Sequence, residues 1–559
     1  MRDCMISYSN ERVSYKDTLI SKLKENIIFI LLYAIIITFI LWPIISVILN
    51  SIFIDGRFSL EAYKQLTLKS TKLLYNSFLV AALSTFFAII ISIIIAIYMT
   101  QIKGILKKFI YILLLISMIS PPYVDSLSFI ILFGKRGLIT YRVLHLHLNP
   151  YGFIGIVIME TLAHIPRAAL LIIIAMKSIE KNLINASKDL GGDDLSTLFS
   201  IVIPMAKSSI IAASLICFVT SLSDFGTPIV IGGGFNVLAT EAYLNITGVS
   251  NIPLASAMSI FLLIPSLILF IIYRKQMMQN KVYSYQIVDS SNSSEANNLN
   301  LPIYIKSIII FITFFFVSIV ILKYATILAG SFATFNSGKV GFTLDYFKEI
   351  DRAKLLSFKR SLYYSFTAAI AGSIIGILLS YVVERNKLKG AAFLDFTATL
   401  PYMMPGTLFG IAYILAFKNP PLVLIGTSSI VILNCIFKQL PMSSKAGSAV
   451  LSQQSPEIEN AAKDLGANNF YMLKDIIFPI LKPAFVTSFV NIFSSTMVTI
   501  GALIFLVSPG KEVATVQLFS AIKEGNLGVG CVLANMIIFA TIIINLSVSS
   551  LLKLQFSKE

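Results

Sequence analysis

The sequence predicts an all-α polytopic membrane protein of about 12 transmembrane helices, built as two tandem six-helix units. Three observations predict it. Of 559 residues, 56% are hydrophobic and 13% charged, with a mean hydropathy of +0.84, whereas a soluble protein carries roughly 25% charged residues. Apolar runs long enough to cross a ~30 Å hydrocarbon layer as helices recur throughout. Finally, the stretch Pro166 to Pro204 returns as Pro441 to Pro479 at a constant shift of 275, without a gap. Repetition at half the chain length points to a duplicated unit.

In the first half the expected spans lie near 27–49, 77–100, 109–134, 151–176, 208–232 and 255–273. In the second they lie near 304–328, 361–384, 391–416, 421–446, 483–508 and 527–552. The run Ile27 to Ile48 is too long for a signal-peptide core and lacks a small-residue cleavage site, so it reads as a retained span. The first unit occupies 1–273, a linker 274–303 and the second unit 304–559. The linker core, VDSSNSSEANNLNLP, is Ser/Asn-rich and without apolar periodicity, as a flexible tether is. FSLEAYK (Phe58 to Lys64) is echoed by FTLDYFK (Phe342 to Lys348), each before its unit's second span. An even number of spans per unit makes the repeat parallel, with a central path between the halves.

Charge sets the expected orientation. Lys22, Lys24, Lys103, Lys107, Lys108, Arg274, Lys275, Lys281, Arg385, Lys387 and Lys389 fall on one set of loops. That side, with both termini, is expected to be cytoplasmic. The other set is not free of cations (Arg57, Lys135, Arg136, Lys359, Arg360). The +16 net charge therefore needs no nucleic acid as a partner. Cys4, Cys217, Cys435 and Cys531 show no paired spacing, so neither disulfide nor zinc is indicated.

The repeated stretch is polar in its middle and lysine-bearing. Ile458, Ala461, Ala462 and Leu465 recur at helical spacing. Gly466 follows, where a helix end in the left-handed conformation favours glycine. Asn468 or Asn469 is expected to cap a second helix carrying Phe470, Leu473, Ile476 and Ile477, which Pro479 ends. The first copy runs in parallel: Leu183, Ala186 and Leu190, the turn Gly191–Gly192, caps Asp193 and Asp194, then Leu195, Leu198, Ile201 and Pro204. Small Ala186, Ser187, Ala461 and Ala462 allow close approach of a soluble partner.

Both copies resemble the EAA loop of ABC-importer permeases: E-A-A, three residues, Gly, nine residues, then I-x-L-P. Asn460-Ala461-Ala462, Gly466, Ile476, Phe478 and Pro479 keep that spacing, as do Asn185-Ala186-Ser187, Gly191, Ile201, Ile203 and Pro204. Asn185 and Asn460 depart from the family's Glu. The resemblance implies two type I ABC-importer permease units, with coupling loops at 179–204 and 454–479 that dock into nucleotide-binding subunits. It implies as coupling residues Asn185, Ala186, Ser187, Asp189, Gly191, Asn460, Ala461, Ala462, Asp464 and Gly466. The partners implied are ATP-binding-cassette ATPase subunits, two copies, and an extracytoplasmic substrate-binding protein, at a bacterial inner membrane. The chain has no G-x-x-x-x-G-K-[ST], so ATP hydrolysis is expected on another polypeptide and no catalytic residue or cofactor is assigned.

Ionisable residues inside spans are functional candidates by default. Asp224, in SLSDFGTPIVIGGG, falls on Thr499 at the shift of 275. Glu160 and Asp125 join them as candidate path residues, and Asp395 precedes Pro401. A partner for Glu160 is sought in His164 or Arg167. Pro121, Pro122, Pro401 and Pro405 interrupt spans at similar places in both halves, either as breaks that free backbone carbonyls to line a path or as simple packing kinks. His145 and His147 lack a third ligand nearby, so no metal site is assigned; Met403 and Met404 read as packing. SLSDFGTPIVIGGG with IGALIFLVSPG in a fused chain most resembles ferric-iron importer permeases; thiamine, polyamine and aminoalkylphosphonate permeases share much of the pattern. The rival classes are a gradient-driven secondary transporter using Asp224 and Glu160, and a passive channel.

Overall fold

The computed structural model describes residues 29–54, 56–147, 149–249, 251–279, 299–334, 341–385, 390–467 and 471–556. Most of the expected linker lies outside them, as do Cys4, Lys22, Lys24, Lys281, Lys387, Lys389, Asn468, Asn469 and Phe470.

Apolar runs become helices because a helix satisfies its own backbone in lipid. Among the described residues nine helices are long and apolar enough to cross a membrane, and eleven spans result when each of two bent pairs counts as one. The first half comprises α1 (Phe29–Ile52), α2 (Glu61–Gln101), the pair α3 (Gly104–Ile119) and α4 (Pro122–Phe133), and α5 (Phe153–Lys177). It continues with a short α6 (Lys181–Asp189), α7 (Asp194–Leu222), α8 (Gly226–Ile231), α9 (Leu238–Thr247) and α10 (Ile252–Gln279). The second half repeats the series: α11 (Ile303–Gly330), α12 (Arg352–Arg385), the pair α13 (Ala391–Tyr402) and α14 (Gly406–Ala416), and α15 (Ser428–Leu451). Then follow α16 (Glu457–Asp464), α17 (Met472–Val498), α18 (Leu503–Leu506), α19 (Ala514–Lys523) and α20 (Leu527–Phe556). The remaining expected span, the tenth, corresponds to α15, which has the length but too polar a composition, with Asn434, Lys438 and Lys445, to count among them.

Several expected boundaries move. The third and ninth spans are broken, by 104° and 114°. Pro122 opens α4, and Pro405 immediately precedes α14, where a missing N–H costs a helix nothing. The fifth span starts at Asp194 and stops at Leu222, and the eleventh runs Met472–Val498. Pro204 and Pro479 therefore do not end helices. Each stands just after a π-helical turn, Leu198–Val202 or Met472–Ile477, where α-helix resumes.

On the side opposite the repeated polar loops, each half carries a small hairpin. It pairs Phe53 with Phe58 in the first half and Ala333 with Phe342 in the second. The FTLDYFK echo starts on the last residue of the second hairpin, Phe342. There Lys348 and Thr343 donate to the Asp345 carboxylate, which holds its pKa below the usual carboxylate value.

In each half the second, fourth and fifth spans form the packed centre: α2, α5 and α7 in one, α12, α15 and α17 in the other. Small residues let the backbones meet. A Cβ on Gly376 would strike Ser443, and one on Gly447 would strike Ser380, as expected where packing rather than hydrophobicity joins helices in lipid. The first span of each half crosses to the other. α1 packs on α14, with Tyr413 donating to Phe39 O at 2.8 Å and Phe39 stacked on Phe437 at 5.0 Å. α11 packs on α2 and α4.

Candidate coupling face and translocation path

The first polar loop is built by local geometry. Gly191 has φ +86°; its N–H reaches Lys188 O at 2.9 Å and the Gly192 N–H reaches Ser187 O at 2.9 Å. This is the two-bond helix stop that needs a left-handed residue. Asp193 then accepts from the Ser196 N–H at 2.8 Å and caps α7, while Lys188 pairs with Asp194 at 2.6 Å. The second loop repeats it: Gly466 has φ +82° and the Ala467 N–H reaches Ala462 O at 3.0 Å.

The structure shows which face each short helix turns outward. Ile184, Glu459 and Ala462 are the buried positions, whereas Leu183 and Ile458 are exposed and Leu190 and Leu465 are each 89% exposed. The inward face is thus offset by about one residue from the apolar stripe. Most of that stripe is presented to solvent instead, together with Asn185, Ala186, Asp189, Gly191, Asn460, Ala461, Asp464 and Gly466. Ser187 is half-buried and bonds Thr197 Oγ1 at 2.9 Å. Two large leucines so exposed, at equivalent positions of a repeat, are apolar surface of the kind that marks an interaction site.

Between the halves, behind the broken spans, the chain is closed by aromatic rings. Tyr123 of α4 meets Phe519 of α19 at 4.9 Å, and Tyr243 of α9 meets Phe505 at 5.7 Å and Phe225 at 5.2 Å. Glycines permit this closeness: a Cβ on Gly226 would lie 2.8 Å from the Tyr123 ring, and one on Gly501 would lie 3.3 Å from Gly406. A Cβ on Gly501 would also touch Phe225 of the other half, at 3.8 Å.

The acidic candidates take distinct places around this closure. Asp224 sits at the break after α7, half-buried, and its Oδ1 accepts from the Gly226 N–H at 2.8 Å and the Thr227 N–H at 3.2 Å, capping α8. Thr499 holds the equivalent break, its carbonyl accepting from Thr515 Oγ1 at 3.0 Å. Glu160 is 2% exposed inside the first half. Its Oε2 accepts from Ser221 and, at 3.3 Å, from Ser84, rather than from His164 or Arg167. Arg167 donates to Thr220 at 3.3 Å instead. At the shift of 275 Glu160 falls on buried Cys435, so both acids belong to one half. Asp125 is paired with Lys323 of α11 at 2.8 Å, and Asp395 with Lys445 at 2.6 Å.

The freed carbonyls expected at the proline breaks are present and claimed. Lys438 of α15 donates to Pro401 O at 2.8 Å and also to Met404 O. Met403 and Met404 are buried as packing residues. Lys323 and Lys438 hold these contacts, and neither is among the candidates read from the sequence. The signal that marks Asp224 and Glu160, an ionisable group inside an apolar run, marks these lysines equally. The aromatic closure had no such signal, since its rings are ordinary members of apolar runs. Among the described residues no group of three His, Cys, Asp or Glu could hold a metal.

Comparison with known proteins decides the family. The model of the binding-protein-dependent transport system inner membrane component matches twice, over residues 88–276 and 372–558. The chain belongs to that family. It is 29% identical over 521 residues to the ferric transport system permease protein FbpB of Actinobacillus pleuropneumoniae, covering 89% of this chain and 74% of that protein. It is 30% identical over 495 residues to the putative ferric transport system permease protein FbpB 1 of Haemophilus influenzae, covering 85% and 77%. One half resembles the putative 2-aminoethylphosphonate transport system permease protein PhnV of Salmonella typhimurium, at 27% over 44% of this chain and 92% of that protein. The chain is therefore a transport permease subunit rather than an enzyme, an inner membrane component of a binding-protein-dependent ABC importer. Membership implies ATPase and substrate-binding partners.

Proposed function

We propose that this permease carries ferric iron from an extracytoplasmic binding protein into the cytoplasm by alternating access. The two polar loops couple it to a pair of separate ATPase subunits. The observation that carries the coupling role is the repeated outward face built around Leu190–Gly191 and Leu465–Gly466, apolar and exposed on structures that are alike turn for turn. The iron assignment rests on the two ferric permease relatives that span most of the chain.

In this reading residues 1–273 and 304–559 are the two permease units, joined by 274–303. The lysine-bearing loop side and both termini face the cytoplasm. ATP binding draws the ATPase subunits together, and the loops at 179–204 and 454–479 follow. The halves then part at the aromatic closure, opening a path past Asp224 and Thr499. Glu160 supports that path from inside the first half, and Asp125 does so through Lys323. Carboxylates suit a cationic cargo.

The test is ATP-dependent uptake of radiolabelled ferric iron in vesicles holding the chain, its ATPase and its binding protein. Wild type is compared with Gly191→Asp plus Gly466→Asp. Uptake lost in the variant, with assembly kept, supports both coupling and cargo. ATP hydrolysis without iron uptake keeps the permease and shifts the cargo to 2-aminoethylphosphonate, thiamine or a polyamine. Uptake that survives ATP depletion and ignores both glycines refutes the coupling role in favour of a gradient-driven carrier.

A further inference from the structure

The two polar loops look alike but are fastened differently. In the second half Arg385, the last residue of α12, reaches the short helix α16. Its Nε stands 2.7 Å from Glu459 Oε1, a charge contact without an aligned N–H. Its Nη2 donates to Leu451 O at 3.1 Å and Gln454 O at 2.9 Å, at the end of α15. One guanidinium thus joins α12, α15 and α16, with both charged side chains nearly buried at 11% and 9% exposure. In the first half the same places hold other chemistry. Arg385 falls on Gln101 at the shift of 284 that aligns Phe342 with Phe58, and Glu459 falls on Ile184 at the shift of 275. The Gln101 side-chain nitrogen is buried without a partner, and Ile184, 5% exposed, joins an apolar cluster with Ile97, Met99 and Leu198.

These are different joints. At the position of Glu459 the first half has apolar burial, which has no preferred direction, and α6 is tied instead to the start of α7 through Ser187–Thr197 and Lys188–Asp194. A guanidinium fixed by two carbonyls holds its charge against Glu459 in a nearly dry place, and displacing α16 separates that pair. We propose that Arg385 is a positioning residue that locks α16 to α12 and α15. The second loop then transmits displacement of α16 directly to α12 and α15. This rests on the coupling role proposed above for both loops.

Amide hydrogen exchange of the assembled transporter in lipid nanodiscs tests the joint, and iron imported per ATP hydrolysed tests its use. The variants are Arg385→Gln, Glu459→Gln and the two together. In Arg385→Gln, amides of 457–464 exchange about tenfold faster while those of 181–189 are unchanged, and iron per ATP falls about tenfold, a loss within the range that paired residues show on substitution. The double variant is no worse than Arg385→Gln, because the two groups act as one unit. Unchanged exchange in 457–464, equal acceleration in both helices, or effects that multiply in the double variant overturns the lock. Faster exchange at an unchanged iron-to-ATP ratio overturns the positioning role. If wild-type ATP hydrolysis proves unlinked to uptake, the coupling role falls, and the exchange data still decide whether Arg385 fastens α16.

Discussion

The ion pair between Lys323 of α11 and Asp125 of α4 gives a sharp energetic prediction, because it links the halves inside the membrane. The charges lie 2.8 Å apart with side chains 11% and 16% exposed. At an effective dielectric constant of ~20 they attract by about 6 kcal/mol. Desolvating the two ions costs several kcal/mol each, so the pair contributes little net stability relative to apolar residues. Removing one partner is different. Lys323→Met leaves Asp125 buried and uncompensated, at a cost of about 3–5 kcal/mol. Lys323→Met with Asp125→Leu is expected to return to within about 1 kcal/mol of wild type. Reversible unfolding in mixed micelles titrated with SDS measures both. A single variant as stable as wild type, or a double variant as unstable as the sum of the singles, refutes the reasoning. Both Lys323 variants also lose the contact of the ammonium with the Tyr324 ring at 4.7 Å, so comparing the single with the double isolates the cost of the uncompensated Asp125.

Leu190→Asp with Leu465→Asp is expected to abolish retention of the ATPase during purification. Unfolding should stay within about 0.5 kcal/mol of wild type, because both side chains stand in solvent; a large stability loss would contradict the outward face. Gly466→Ala, at φ +82°, should cost roughly 1 kcal/mol through the left-handed backbone alone, measured in the same unfolding assay. Lys438→Met orphans the carbonyls of Pro401 and Met404 and is expected to destabilise by about 1–3 kcal/mol for each carbonyl left buried. Gly226→Ala drives a methyl group into the Tyr123 ring and should cost about 1–3 kcal/mol by overpacking, with Tyr123→Ala restoring part of it.

Much of the site was legible because it is local. The left-handed stops at Gly191 and Gly466, the Asp193 cap and the breaks at Pro122 and Pro405 depend on residues a few positions apart. The gapless shift of 275 compares the chain only with itself. Asp224 was legible as an acid inside an apolar run, but its work as the cap of α8 was not, since that follows from where the helix before it stops. The offset face of α6 and α16 escaped for a related reason. Periodicity locates an apolar stripe but does not tell whether it faces the protein or a missing partner.

By itself the sequence determined that this chain is helical, membrane-spanning and twofold, with two matching polar loops on one side. Apolar length, turn chemistry and repetition are all written in neighbouring residues. Only the tertiary structure decided that α1 and α11 cross to the opposite halves. It also set which lysine meets which carboxylate or carbonyl, and that Tyr123, Phe225, Tyr243, Phe505 and Phe519 close the centre. Those contacts join residues tens to hundreds of positions apart. In lipid, where hydrophobicity does not choose between neighbours, they are selected by close packing and polar pairing in three dimensions.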